Sequence, residues 1–104
     1  MLTEREKLYV GTWRHSHEED APTTRVFRRK EFAFPRSRGR VGYELRPDRT
    51  GAYLAIAARD GTDAKECTWQ APGDGSEILL RFPDGTEQKL SVISAERDRL
   101  EIRK

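Results

Sequence analysis

The chain is expected to be all-β, an antiparallel, up-and-down meander of about eight short strands closed into a small barrel. Three observations predict this. Turn-forming residues cluster near positions 20, 37, 49, 61, 74, 84 and 96, the regular spacing of a barrel or sandwich. The segments between them alternate apolar and polar residues with period two, and no long segment shows a helical period. Closing such a sheet removes exposed edges, which an open eight-stranded meander would have to protect.

The clearest strand signal lies between Glu77 and Ile102. Ile78, Leu80 and Phe82 alternate with Glu77 and Arg81, and Leu90 and Val92 continue the pattern in a run from Thr86 to Ser94. Pro83-Asp84-Gly85 joins the two runs, with Pro83 presetting φ and Gly85 able to take positive φ, as a tight hairpin turn requires. A last strand, Leu100 to Arg103, follows the polar turn Ala95–Asp98.

From the N-terminus, Thr3-Glu-Arg-Glu6 has the spacing of a capping box and predicts one short helical turn. Leu8 to His17 reads as the first strand, with Gly11 offering a bulge or a close backbone approach. Glu18–Pro22 is an acidic loop. The second strand, Thr24 to Phe34, loses its alternation near Arg29, where a bulge would exchange its faces. Pro35–Gly39 turns the chain into a third strand, Arg40 to Arg46, with Val41, Tyr43 and Leu45 on one face. After Pro47–Gly51 comes a fourth, Ala52 to Arg59, apolar on both sides: Leu54 and Ile56 on one, Tyr53 and alanines on the other. A fifth, Ala64 to Ala71, follows Asp60-Gly61 and places Cys67 and Trp69 on one face.

Composition bounds the rest. The 104 residues suit a single domain, 1–104, which at this size buries only about 60–65% of the surface its unfolded chain exposes. Hydrophobic residues are 35% and charged residues 37%, but the net charge is only +2, so a folded domain is expected rather than a disordered chain. The single Cys67 rules out an internal disulfide, and Met1-Leu-Thr-Glu-Arg-Glu6 contains no apolar run of the kind a signal peptide needs. The longest apolar run, Ala52 to Ala58, falls far short of the roughly 20 residues that span a bilayer. The expected location is therefore the cytoplasm, with no membrane association.

Gly11-Thr-Trp13 at the first strand, the meander after it, and a basic residue on the last strand (Arg103, or else Arg99) resemble the calycin superfamily, most of all bacterial lipocalin-like domains. The similarity extends through Gly42-Tyr-Glu-Leu45, Asp48-Arg-Thr-Gly51, Trp69, Ile78-Leu-Leu80, Asp84-Gly85, Val92 and Leu100-Glu-Ile102. The resemblance implies a lipocalin-like barrel in which Trp13 packs at the closed end and a late arginine, Arg103, stacks over it, making Gly11, Trp13 and Arg103 structural.

Several groups are candidates for chemistry. His15 and His17 would share a strand face near Glu19, a geometry able to hold a divalent cation, but two solvated histidines explain the spacing as well and no third ligand is evident. No metal or cofactor is assigned. Cys67 reads as a buried structural thiol, none of the five serines sits in a nucleophile elbow, and catalysis has no support. An aromatic set, Phe32, Phe34, Tyr43, Trp69 and Phe82, is a candidate cavity lining that competes with plain core, with Arg28 or Arg40 turned inward to meet a ligand carboxylate.

Residues 25–49 hold nine Lys or Arg against three acids, a net +6 that leaves −4 for the remainder. Interleaved with aromatics, this segment suits a nucleic-acid or other polyanion surface; equally, its arginines pair with acids elsewhere on the outer face. The first functional expectation is a noncatalytic binding module for a small, mainly apolar ligand or a protein partner. The alternative is the polyanion binder, and a third reading makes His15 or His17 an acid–base group of a small enzyme. A homodimer through the Tyr53 strand is also expected if the Tyr53 face points outward, the competing arrangement being Tyr53 covered by a neighbouring strand's arginines.

Overall fold

Three turns share one design. In each, the Oδ1 of an aspartate accepts hydrogen bonds from the backbone N–H and the hydroxyl of the residue two positions on: Asp48 from Thr50 at 3.0 and 2.5 Å, Asp74 from Ser76 at 2.9 and 2.7 Å, Asp84 from Thr86 at 2.9 and 2.6 Å. The short Asp side chain reproduces a backbone turn acceptor, and Gly85 follows Asp84 at φ +90° to complete the hairpin.

These turns belong to a computed structural model that describes residues 2–36, 40–56 and 62–104. Eight strands are present: β1 (Gly11–His15), β2 (Thr24–Arg29), β3 (Gly42–Leu45), β4 (Thr50–Ile56), β5 (Thr62–Gln70), β6 (Glu77–Arg81), β7 (Glu87–Ala95) and β8 (Arg99–Arg103). They form one closed barrel in the order β1-β2-β8-β7-β6-β5-β4-β3, every pair antiparallel. From β3 to β8 the chain is the expected meander. The strictly sequential order is broken once, because β1 lies between β2 and β3 and the connection from β2 to β3 crosses over it.

The N-terminal capping box forms as expected, with Glu6 N donating to Thr3 Oγ1 and Thr3 N to Glu6 Oε1. It starts a longer helix than one turn, α1 (Glu4–Tyr9), which takes Leu8 and Tyr9 out of the expected first strand. A 3₁₀ turn, His17–Glu19, takes His17 from that strand's other end. The second strand stops at Arg29 instead of bulging there and running on to Phe34. The described bulge is in β7, between Val92 and Ser94, where Ile93 turns outward and is 45% exposed.

Pairing fixes which residues face inward. Trp13 lies opposite Tyr43, Tyr43 opposite Tyr53 and Tyr53 opposite Lys65, so all four share the interior face. The β4 expectation is thereby corrected: Tyr53 points inward, while Leu54 points outward together with Ala52, both of them nonetheless buried. An apolar–apolar strand carries no alternation by which its inner face is recognised. The outward tyrosine patch on which the homodimer expectation rested is not there. The expected Asp60-Gly61 turn and Ser37–Gly39 lie outside the described residues.

The core fills the interior towards α1. Tyr9, Trp13, Trp69, Ile78, Leu80 and Leu100 are all fully buried, large side chains of the kind that exclude a central cavity from a small eight-stranded barrel.

Candidate functional site at the barrel mouth

The end of the barrel beneath α1 is closed by a cation held among carbonyls. The guanidinium of Arg29 stacks over the Trp13 ring at 3.8 Å and donates to Val10 O at 2.6 Å, Leu8 O at 3.1 Å and Arg97 O at 2.7 Å. It satisfies carbonyls at the helix C-terminus, where positive charge is favoured. Burial pushes its pKa down from the usual arginine range. Gly11 makes this possible, since at φ +130° a Cβ there would sit 2.1 Å from Arg29 Nη1. The expected Arg103 does not take this role. β8 enters the barrel wall at the closed end with Arg99 and leaves at the opposite end with Arg103, which pairs with Thr24.

Trp69 also belongs to the closed end, away from the mouth, where it lines a separate cleft of about 420 Å³ with Glu6 and Arg49. Its indole Nε1 donates to Arg46 O at 2.8 Å, and Arg49 lies over its ring at 5.0 Å while pairing with the buried Glu6 of α1. Arg49 adopts φ +74°, a left-handed conformation that costs a non-glycine residue energy. The Arg49 guanidinium holds the Glu6 carboxyl at a pKa of about 2.

Four of the expected lining residues sit outside the barrel wall. Arg28 alternates with Arg29 and so points outward, where it makes a two-pronged pair with Glu19 at 2.7 and 2.8 Å. Phe32 and Phe34 lie beyond the end of β2, packed edge to face at 4.9 Å. Arg28 covers the first ring and Arg40 the second. Arg40 also donates to His15 O, Pro35 O and both Glu18 oxygens, clamping the crossover to β1. With Arg46 bound to Glu44 and Glu66, five of the nine cations in residues 25–49 are engaged within the fold.

The opposite end is the mouth. There the structure brings together two of the expected residues, Tyr43 and Phe82, with others that the sequence did not single out for a site. Aromatic rings step across the floor: His15 to Phe27 at 5.1 Å, Phe27 to Tyr43 at 5.6 Å and Tyr43 to Tyr53 at 5.5 Å. Gln88 Nε2 donates to the Tyr43 hydroxyl at 2.9 Å. Above this floor opens a cleft of about 490 Å³, walled by Tyr53, Lys65 and Glu66 on one side and by Phe82, Pro83, Asp84, Thr86 and Gln88 on the other. Its volume falls within the range of small-molecule sites.

The remaining candidates do not converge. His15 Nε2 meets Asp20 at 2.9 Å, Glu19 is held by Arg28 and Ser16, and His17 starts the 3₁₀ turn. Among the described residues no three His, Cys, Asp or Glu side chains gather in a metal-binding group. Cys67 is buried inside the barrel, where desolvation pushes its thiol pKa up, and β3 and β4 separate its strand from that of His15. Register places Lys65 and Arg25 on the inner face at the mouth, but their charge made them look like ordinary surface in the sequence. No family model matches the chain, and neither a characterised protein nor a solved structure shows detectable similarity to it.

Proposed function

We propose that the protein is a noncatalytic, lipocalin-like binding module that holds a small, mainly apolar ligand at the barrel mouth. The observation that carries this reading is the contrast between an interior filled by fully buried side chains and a cleft of about 490 Å³ left open above the Tyr43–Tyr53 floor. A ligand entering there buries apolar surface against rings already ordered by packing, so binding has little conformational entropy to overcome. The lipocalin-like assignment draws on the eight-stranded closed barrel and on a tryptophan capped by an arginine, here supplied by β2.

The polyanion alternative draws on residues 25–49, and the engagement of five of their nine cations favours the mouth instead. Outward charges such as Glu66, Lys89 and Glu87 around an apolar interior reverse the polarity of a membrane barrel. The free thiol of Cys67 suits a reducing compartment such as the cytoplasm.

Native mass spectrometry of protein purified without denaturation tests the proposal. A retained small molecule, lost from the Tyr53→Ala/Phe82→Ala variant, is the expected result. Retention unaffected by that double substitution would move the ligand away from the mouth.

A further inference from the structure

The reading of the mouth as a binding site leaves open what it recognises, and the charges around it narrow the class. Two cations stand at the mouth on separate walls, Lys65 lining the cleft itself and Arg25 across the barrel from it, beside the Tyr43 phenol. Arg25 shares the inner face of β2 with Phe27 and lies opposite the buried Ile102, and Lys65 shares the inner face of β5 opposite Tyr53. Arg25 is close enough to the Tyr43 phenol to favour its ionised form against the effect of burial.

The nearby acids are less available. Asp84 and Glu66 line the cleft, but Asp84 Oδ1 holds Thr86 in its turn and Glu66 meets Arg46 on the outer face, while Asp63 lies two residues farther out along β5. Among the described residues neither Arg25 nor Lys65 forms an ion pair. The Tyr43 hydroxyl accepts from Gln88, which leaves its own proton to be donated.

Resting on the mouth reading, we propose that the preferred ligand is a small aromatic carboxylate, its ring between Tyr53 and Phe82 and its carboxylate met by Lys65 and Arg25. Planar rings stack favourably on aromatic walls, and a carboxylate completes charge-assisted hydrogen bonds with the exposed cations at the rim. One or two fused rings fit the cleft.

The test is an amide-resolved NMR titration with 2-naphthoate and its uncharged counterpart 2-naphthamide, on the wild type and on Lys65→Met and Arg25→Met. The expected result is that naphthoate binds the wild type about tenfold tighter than naphthamide, one charge-assisted contact's worth of discrimination, and shifts the amides of Tyr53, Lys65, Phe82 and Thr86. Each methionine variant should lower naphthoate affinity while leaving naphthamide affinity unchanged, its dispersed spectrum showing the barrel intact. Equal affinity of the two probes in the wild type would overturn the carboxylate preference and leave the mouth reading standing. If neither probe shifted mouth amides, both readings would fall, and shifts confined to Lys30 and Arg36 would place anion binding outside the mouth.

Discussion

The two ends of the barrel are built from the same strands yet do opposite things with the same residue types. On β2, Arg29 and Arg25 lie on one face, two inward positions apart. Arg29 is over an indole with three carbonyl acceptors, whereas Arg25 is exposed at the rim. On β5, Trp69 is fully buried with its N–H bonded, whereas Lys65, two inward positions away, is exposed. At the closed end the Arg29, Arg49 and Trp69 donors are matched, with Arg99 Nε left as a buried donor without a hydrogen-bond partner among the described residues, and the Trp13 and Trp69 rings are fully buried beneath α1. At the mouth rings are ordered but the polar atoms above them retain unused capacity. Buried, packed contacts are thus concentrated at one end and the open cleft lies at the other, the separation that the proposed binding reading expects of a rigid scaffold presenting a site.

The comparison is broken most directly at Trp13. Trp13→Ala should cost about 3–5 kcal/mol, as a large core truncation does, measured by chemical denaturation; a loss under about 1 kcal/mol would mean the closed end is not the stabilising one. Gly11→Ala comes next, at about 2–3 kcal/mol, because the new methyl occupies the Arg29 site at a strained φ. In a double-mutant cycle it should be strongly non-additive with Arg29→Ala, since both remove the same guanidinium.

The crossover sharpens the contrast between engaged and free cations. Arg40→Glu should cost about 1–2 kcal/mol by losing its carbonyl and ring contacts, whereas Arg36→Glu should stay within about 0.5 kcal/mol. Equal effects in thermal or chemical denaturation would show that the clamp on β1 contributes nothing.

Acid should act on the closed end as well. The Glu6 pKa is lowered to about 2 chiefly by its hydrogen bond to Arg49, with a further bond from the Thr3 backbone. A depressed carboxylate stabilises the fold fully above its unfolded pKa, near 4.5, and loses that stabilisation as pH falls through the folded value. Between pH 4.5 and 2 the wild type should therefore lose on the order of 1–2 kcal/mol that Glu6→Gln does not lose, after allowance for the partly exposed Arg49. Denaturation midpoints of the two proteins across that range should converge; parallel curves would remove Glu6 as a source of acid sensitivity. The smallest effect is at the mouth, where Lys65→Met should change stability by under about 0.5 kcal/mol. A larger loss would show that Lys65 supports the fold.

Short-range chemistry made much of this protein legible from its residues alone. Eight strands, the capping box at Thr3 and Glu6, the Pro83-Asp84-Gly85 hairpin and the shared face of Cys67 and Trp69 all follow from patterns spanning a few residues, whereas the packing of Trp13 was implied by a family resemblance. Tertiary structure decided what those patterns leave degenerate. Tyr53 rather than Leu54 faces inward because β4 is apolar on both sides and only its pairing with β3 and β5 selects a face. Arg29 rather than Arg103 caps Trp13 because β1 and β2 are neighbours in that register and Gly11 leaves room for a guanidinium. Lys65 and Arg25, the cations of the proposed site, come to the same end of the barrel only because closure carries β5 and β2 to opposite sides of it. An alternating strand states its own period, but which strand it meets, and what its charges then face, depends on residues far away along the chain.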